Sequence, residues 1–83
     1  MMRIYRDWLP PETFGQRIQR LRTERGWSLN DLAVKSGTVK SQIHQLENGK
    51  SDTSLRYVVL LARAFEMEPS ELIAGLKLTE YLR

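Results

Sequence analysis

Hydrophobic residues recur at helical spacing in several short stretches of the chain, and glycines, prolines or polar runs separate these stretches. In the first stretch Phe14, Ile18 and Leu21 stand at positions i, i+4 and i+7, which is the spacing of one face of an α-helix. Thr13 stands where a capping residue is expected, and Gly26 ends the pattern. The sequence therefore predicts a first helix between these two residues.

A second stretch is shorter and also ends at a glycine. Ser28 is a capping residue in front of an apolar face made by Leu29, Leu32 and Ala33. Gly37 ends this face, because glycine adopts the left-handed backbone of a helix terminus at little cost. The pattern predicts a helix of about two turns followed by a tight turn.

A third stretch combines one narrow apolar face with a broad polar one. Val39, Ile43 and Leu46 stand at i, i+4 and i+7. The residues between them carry amides, hydroxyls, a lysine and an imidazole, but no acid, and such groups suit the donor and acceptor edges of the DNA major groove. Two short helices joined by a glycine turn form a helix-turn-helix. The second helix of this motif is formed by the third stretch, and its outward-facing residues are Lys40, Ser41, Gln42, His44, Gln45 and Asn48.

This region resembles the DNA-binding domains of the lambda and 434 phage repressor and Cro family, also called the XRE type. The matching residues are Leu32-Ala33, Gly37, Ile43 and the run Gln-Leu-Glu-Asn-Gly-Lys at 45–50. The resemblance extends from about residue 14 to residue 73. It implies an all-α, compact, five-helix, lambda-repressor-like domain that binds double-stranded DNA and regulates transcription.

Two further helices are expected after the polar loop that follows Gly49. Thr53 can cap a fourth helix from Ser54 to about residue 65, and this helix is apolar on most sides, as expected of a helix that is central or shared with a second subunit. Pro69 suits the first position of a fifth helix, which Gly75 ends. We therefore expect one domain with its core at about 13–74, an N-terminal arm at 1–12 and a C-terminal tail at 75–83.

Composition narrows the possible functions. The chain has 83 residues, no cysteine, one histidine and a net charge of +3. Without cysteine there are no disulfides or thiolate metal ligands, and His44 alone builds neither an ordinary zinc site nor a catalytic triad. No apolar run is long enough to span a membrane. We expect a cytoplasmic protein that is not an enzyme, with no cofactor or metal and no room for a separate ligand-sensing domain.

The family resemblance assigns residues to the two parts of a DNA interface. Lys40, Ser41 and Gln45 occupy positions that resemble base readers, flanked by Gln42 and His44. A merely polar helix surface is the alternative interpretation. The residues that match phosphate contacts are Asn48, Lys50, Ser54 and Arg56, with Ser28 or Asn30 in place of a glutamine that the family commonly has at the position of Leu29.

The start of the third helix departs from the family pattern. Val39 stands where the family often has a capping serine or threonine. Thr38 is an alternative cap, and its use would shift the first turn by one residue. The choice decides whether Lys40 or Ser41 would enter the groove more deeply.

The resemblance also implies an ion pair between helices. The family pairs an arginine of its first helix with a glutamate near the end of its recognition helix, and Arg22 and Glu47 match these positions. Two solvated, unpaired charges are the alternative. The pair is expected to be partly buried and to set the angle of the recognition helix.

The last part of the chain is expected to form a homodimer interface. A lone recognition helix reads few base pairs, so two copies on symmetric half-sites are the usual solution. The alternative is that the tail covers its own core. A protein-interaction module, such as an antitoxin that retained the scaffold, is the second functional hypothesis. The apolar residues assigned to the interface are Leu72, Ile73, Leu76, Leu78, Tyr81 and Leu82.

Overall fold

The computed structural model describes residues 12–51 and 53–76, and these ranges contain five α-helices and no strand. The predicted all-α, five-helix architecture is therefore confirmed. Residues 1–11 of the predicted arm lie outside the described residues, and so do the tail residues Leu78, Tyr81 and Leu82 that were assigned to the dimer interface. The helices are α1 (Phe14–Glu24), α2 (Leu29–Ser36), α3 (Lys40–Glu47), α4 (Leu55–Ala64) and α5 (Pro69–Ile73).

The first two helices begin with reciprocal caps, as their sequences predicted. At α1 the Gln16 amide donates to the Thr13 hydroxyl at 3.2 Å, and the Thr13 amide donates to the Gln16 side chain at 2.9 Å. Ser28 and Asp31 form the same arrangement at α2. Each cap satisfies amides that have no partner inside the helix, which fixes where the helix starts.

The turn between α2 and α3 depends on Gly37. Its φ is 74°, in the left-handed region, and its amide donates to the carbonyl groups of Ala33 and Val34. Residues with a Cβ are strained at this φ, so the glycine allows α2 to stop abruptly and the chain to enter α3 after two further residues.

Helix α4 differs in two ways from the expectation. Ser54, not Thr53, caps it, since the Tyr57 amide donates to the Ser54 hydroxyl at 3.2 Å, and the helix begins at Leu55. Its apolar residues are not all buried either: Leu55 is 78% exposed and Val59 46% exposed. Helix α4 therefore packs on the core with one face, which carries Val58, Leu61 and Ala62, and its opposite face is open.

One core joins all five helices. Trp27 closes its edge by stacking on Phe65, with ring centroids 5.6 Å apart. Within the described ranges no helix is long and apolar enough to cross a membrane. The buried hydrophobic residues are Phe14, Ile18, Leu21, Leu32, Ala33, Ile43, Leu46, Val58, Leu61, Ala62, Phe65 and Leu72.

The assignment of Leu72 to a dimer interface is wrong. Its side chain is fully buried in the core of its own chain, because α5 lies against α4 and directs Leu72 inward. Leu76 is half-buried and also packs against this core. Ile73, by contrast, is 45% exposed. Of the three assigned residues that the structure describes, Ile73 alone presents a largely open apolar surface.

Candidate nucleic-acid interface

Helix α3 divides its residues between a buried and an exposed face. Ile43, Leu46 and Glu47 are buried. The prediction that Val39 shares this buried face is wrong: Val39 is 55% exposed, because it precedes the first turn of the helix. The five residues with the expected base-reading role are all exposed, so the structure brings them together on one open surface. They are Lys40, Ser41, Gln42, His44 and Gln45.

The C-terminal end of α3 rests directly on the backbone of α1 at Gly15. A Cβ placed on Gly15 would lie 2.0 Å from the Leu46 carbonyl oxygen and 3.2 Å from the Glu47 Cα. Any side chain here would push the two helices apart. The sequence contained a signal for this contact, since a glycine inside a helix costs about 0.5–1 kcal/mol relative to alanine and needs a packing reason.

The Arg22 and Glu47 side chains join α1 to the same end of α3. The Arg22 Nε lies 2.7 Å from Glu47 Oε2, and its Nη2 lies 3.0 Å from Oε1. Arg22 Nη1 also donates to the Trp27 carbonyl at 2.8 Å. The hydrogen bonds to Glu47 raise the pKa of Arg22 above its usual value. Two parallel charge-assisted bonds fix direction as well as distance, so this pair orients α3 relative to α1.

At its N-terminal end α3 has no side-chain cap. Val39 is the capping residue, with an extended backbone, and its side chain offers no hydrogen-bonding group. Thr38 does not replace it: the Thr38 hydroxyl is bonded to the Ser36 hydroxyl at 2.8 Å, and no side chain caps α3. The alternative frame with Thr38 as the cap is therefore wrong, and the first turn of α3 starts at Lys40.

A cavity of about 250 Å³, lined by polar and apolar side chains, lies between α3 and the start of α4. Gln42 contributes to it from α3, so this residue faces both the open surface and the cavity. The first amides of α4 point toward its own N-terminal end, where the helix dipole favours an anion. The lining residues are Gln42, Leu46, Ser51, Thr53, Ser54 and Tyr57.

The remaining residues expected to contact phosphates are exposed, but some are already engaged. The Asn48 side-chain amide donates to the His44 carbonyl at 2.8 Å and so completes the end of α3. Lys50 and Arg56 are exposed on either side of the loop. At α2, Ser28 is occupied by its cap, while the neighbouring Asn30 is exposed.

Asp31 changes the electrostatics at the start of α2. Its carboxylate accepts the Ser28 amide at 2.8 Å, and hydrogen bonds from Ser28 lower the pKa of Asp31. A carboxylate therefore holds the position at which the helix dipole would favour a phosphate. The start of α4 has no acid in its first turn, which makes it the more favourable of the two helix starts for an anion.

A second group of buried charges was not predicted from the sequence. Glu12 is 6% exposed and Arg17 is 3% exposed. Glu12 Oε1 lies 2.8 Å from both Arg17 Nε and Arg20 Nη2. Arg17 Nη1 also donates to the carbonyls of Leu72, at 3.1 Å, and Ala74. This cluster ties the start of α1 to the end of α5, although the predicted N-terminal arm includes Glu12.

The charge balance at Glu12 favours its ionised form. Burial by itself would raise the pKa of Glu12, but hydrogen bonds from Arg20 and Arg17 outweigh burial and lower it. In the described ranges no three His, Cys, Asp or Glu residues stand close enough to hold a metal ion. The buried charges therefore act in the framework, and the exposed face of α3 is the candidate site.

A helix-turn-helix with an exposed polar second helix defines a DNA-binding domain of the Cro and phage-repressor type. Comparison with known proteins agrees: a family model described as helix-turn-helix matches residues 18–72. The chain belongs to this family of DNA-binding transcriptional regulators.

Curated relatives include the HTH-type transcriptional regulator SinR of Bacillus subtilis, which is 32% identical over 68 residues. That match covers 81% of this chain and 61% of SinR. The competence pilus inhibition repressor of Acinetobacter baylyi is 38% identical over 58 residues, covering 70% of this chain and 53% of that protein. The match thus spans less than two thirds of the length of these relatives, which are named as regulators and not as enzymes.

Solved structures lead to the same family assignment. The restriction-modification controller protein C.AhdI from Aeromonas hydrophila is 42% identical, with a TM-score of 0.68, over 71% of this chain and 89% of its own. SinR in complex with DNA, a master regulator for biofilm formation, is 31% identical with a TM-score of 0.66, over 74% of this chain and 98% of its own. A complex of SinR with SinI also matches, at 29% identity and a TM-score of 0.68, over 74% of this chain and 60% of that one.

Proposed function

We propose that this protein is a sequence-specific transcriptional repressor that binds a palindromic operator as a homodimer, with α3 in the major groove. The observation that carries the proposal is the division of α3: its inner face is fixed to α1, while its outer face presents five polar side chains. A helix held rigidly at one face can offer the other to base edges in a defined register. The repressor name of the Acinetobacter relative and the DNA complex of SinR support it.

The proposed base readers are Lys40, Ser41 and Gln45. Lysine donates to guanine O6 and N7, and glutamine makes a bidentate pair with adenine N6 and N7. His44 flanks them, and so does Gln42, which also lines the cavity beside α4. Gln42 is therefore the residue best placed to link a base contact to the neighbouring phosphate.

Phosphates would be held on both sides of α3. The cavity at the start of α4 offers helix amides and several hydroxyl groups, with Arg56 exposed beside it. Lys50 and Asn48 follow the end of α3 along the chain. At the start of α2, Asn30 is exposed, whereas the Ser28 hydroxyl is used by the helix cap. Such contacts carry most of the affinity and set the register of the protein on the duplex.

The proposed homodimer uses Ile73 together with the tail. Ile73 is 45% exposed on α5, and the apolar residues Leu78, Tyr81 and Leu82 follow it in the sequence. A two-fold axis through this surface would place two α3 helices on half-sites about one helical turn apart. Ile73→Asp should then lower dimer affinity in sedimentation, while Val34→Asp on α2, where Val34 is 73% exposed, should not.

A second candidate function is binding of a protein partner. The SinR and SinI complex shows that one relative on this scaffold assembles with a protein. A partner-binding module would show weak DNA affinity with no sequence preference. A DNA-binding experiment therefore distinguishes the partner-binding function from the operator-binding function.

The deciding experiment is selection of bound sequences from a random double-stranded DNA pool with the full chain. The proposal predicts enrichment of one motif with two-fold symmetry, bound at least about 10³-fold more tightly than random DNA. Recovery of unsymmetric motifs would contradict the dimer and leave DNA reading intact. Recovery of no motif would contradict the proposed function and favour the partner-binding alternative.

A further inference from the structure

Three cationic side chains from the ends of α1, α2 and α4 line one surface cavity of about 340 Å³. They are Arg25, Lys35 and Arg63, and we call them the cation cluster. The Lys35 Nζ lies 4.9 Å from the centroid of the Trp27 ring. The Arg25 Cζ lies 5.7 Å from the same centroid and 5.0 Å from that of Phe65. The fold thus gathers positive charge from three helices around one aromatic pair.

The cation cluster carries more positive than negative charge. Within the described residues, none of its three side chains forms an ion pair with a carboxylate, whereas Arg17, Arg20 and Arg22 of α1 all do. Glu66 is the one acid among the described residues that line the cavity. The cavity therefore complements a partner that brings carboxylates or other anionic groups.

Lys35 and Arg63 are the members of the cluster whose donors are open to a partner. Arg25 already donates to the carbonyls of Leu21, at 3.2 Å, and Phe65, at 3.4 Å. In the part of the chain that the structure describes, the Lys35 and Arg63 side chains donate to no other group, and both residues are exposed. An ammonium and a guanidinium in this state can each bind a carboxylate through charge-assisted hydrogen bonds.

The cation cluster lies at the opposite end of α4 from the proposed phosphate site. Ser54 and its cavity are at the start of this helix, whereas Arg63 is in its last turn. The first amides of a helix point along its axis, so a phosphate held there lies beyond the N-terminal end. The 10 residues of α4 span about 15 Å. With α4 in this orientation, the cluster lies on the side of the domain away from the contacted phosphate.

The presence of Glu66 favours a peptide over a second stretch of nucleic acid. Its ionised carboxylate can only accept hydrogen bonds. The sugar-phosphate backbone of DNA has no N–H or O–H donor, so it would only repel this acid. A peptide has backbone N–H groups that can donate to Glu66 while its own carboxylates bind Lys35 and Arg63. Trp27, which is half-buried beside them, is of a residue type enriched at protein interfaces.

On the basis of the proposed function, we propose that the cation cluster is a docking surface for an acidic peptide segment of a protein partner, which binds while α3 is on DNA. The segment places carboxylates on Lys35 and Arg63 and an apolar side chain beside Trp27. Such a partner is brought to the operator by the protein and does not replace the DNA. Ile73 does not line the cavity, so the proposed homodimer uses a different surface.

The test selects peptides from a random display library with the full chain and then measures the affinity of the selected peptides in solution. These peptides should be rich in aspartate and glutamate. The double variant Lys35→Gln, Arg63→Gln should bind them about 10-fold more weakly, because two solvent-accessible ion pairs are lost. Arg63→Gln alone, which removes a side chain without a ring contact in the described residues, should bind about 3-fold more weakly. Urea denaturation should show both variants folded, since both residues are exposed.

Lys50→Gln is the matched control, because it neutralises another exposed lysine, one on the proposed DNA surface. It should bind the selected peptides as wild type does and bind DNA more weakly. The double variant should show the reverse, with the operator affinity and the salt dependence of DNA binding unchanged. The peptides should bind the operator-bound protein as tightly as the free protein.

Four results would overturn the inference and leave the proposed function intact. Two concern the peptides: selection of no acidic peptide, or equal affinity of the selected peptides for the double variant and wild type. The third is weaker operator binding by the double variant with a shallower salt slope, which would assign the cluster to DNA. The fourth is a weaker dimer of the double variant in sedimentation, which would place a second copy of this chain on the cluster. A DNA selection without any motif would contradict the proposed function alone, since peptide binding to the free protein is measured without DNA.

Discussion

The two faces of α3 are separated by about half a helical turn and differ in how their side chains are held. On the inner face, Leu46 and Glu47 are buried against α1, with a glycine contact and an ion pair fixing their position. On the outer face, residues such as Gln45 and His44 are exposed. The inner face determines where the helix lies, and the outer face is free to vary in chemistry without changing the fold.

This difference predicts that substitutions separate into two groups. Changes on the inner face should lower the free energy of unfolding and reduce DNA binding only as a consequence. Changes on the outer face should alter DNA binding at unchanged stability, because their side chains contribute little to the core.

The largest effect is expected at Gly15. Gly15→Ala places a Cβ 2.0 Å from the Leu46 carbonyl oxygen, so α1 and α3 must separate, and we expect a loss of about 3 kcal/mol or more in the free energy of unfolding. Urea denaturation measures this loss in the free energy of unfolding. Gly26→Ala is the control: a Cβ there meets nothing within 4 Å, and its φ of 71° should cost only about 1 kcal/mol. Equal losses in the two variants would show that α1 does not rest on α3.

The next effect is expected at the ion pair. Glu47→Ala leaves the Arg22 guanidinium, whose side chain is 12% exposed, without its carboxylate and should cost about 3 kcal/mol. Glu24→Ala removes an exposed i,i+4 partner of Arg20 and should cost about 0.5 kcal/mol or less. The double variant Arg22→Met, Glu47→Leu should recover much of the loss, because no buried charge is then unpaired. A Glu47→Ala loss as small as that of Glu24→Ala would contradict the framework role.

A smaller effect, confined to acid, is expected at Glu12. Its pKa is lower in the folded state than in the unfolded chain, so the unfolded chain binds more protons in acid. Its stabilising contribution is fully present above the unfolded pKa, about 4.3, and is lost as the pH falls through the folded value. Glu12→Gln should flatten the dependence of unfolding free energy on pH in this acid range. An unchanged pH dependence would show that Glu12 is not a buried, ion-paired carboxylate.

On the outer face, Lys50 should act on DNA binding alone. Lys50→Ala is expected to weaken operator and random DNA by the same factor and to make the slope of log affinity against log salt shallower by roughly one unit. Its free energy of unfolding should equal that of wild type, since Lys50 is exposed. A changed preference between the two DNAs would make Lys50 a base reader instead.

The sequence predicts the framework where local chemistry decides it. The caps at Thr13 and Ser28 and the turn at Gly37 need only neighbouring residues, and each was predictable from spacing alone. The pairing of Arg22 with Glu47 spans 25 residues and came from family resemblance, because no periodicity encodes such a contact.

Features that depend on tertiary packing were not predictable in the same way. Glu12 looked like part of an arm, because its partners Arg17 and Arg20 gave no sign that a core would close over them. Leu72 and Ile73 are adjacent and both apolar, and only the direction of a short α5 decides that the first is core and the second is exposed. Sequence patterns of five residues are too short to show which face is buried.

The most direct test of the separation between the two faces is Gln45→Ala, measured for unfolding free energy and for affinity to operator and random DNA. We expect unchanged stability, a loss of roughly 1–3 kcal/mol in binding free energy on the operator, little loss on random DNA, and relaxed preference at one base pair per half-site. Equal weakening of both DNAs, or a loss of stability that accounts for the weaker binding, would contradict it.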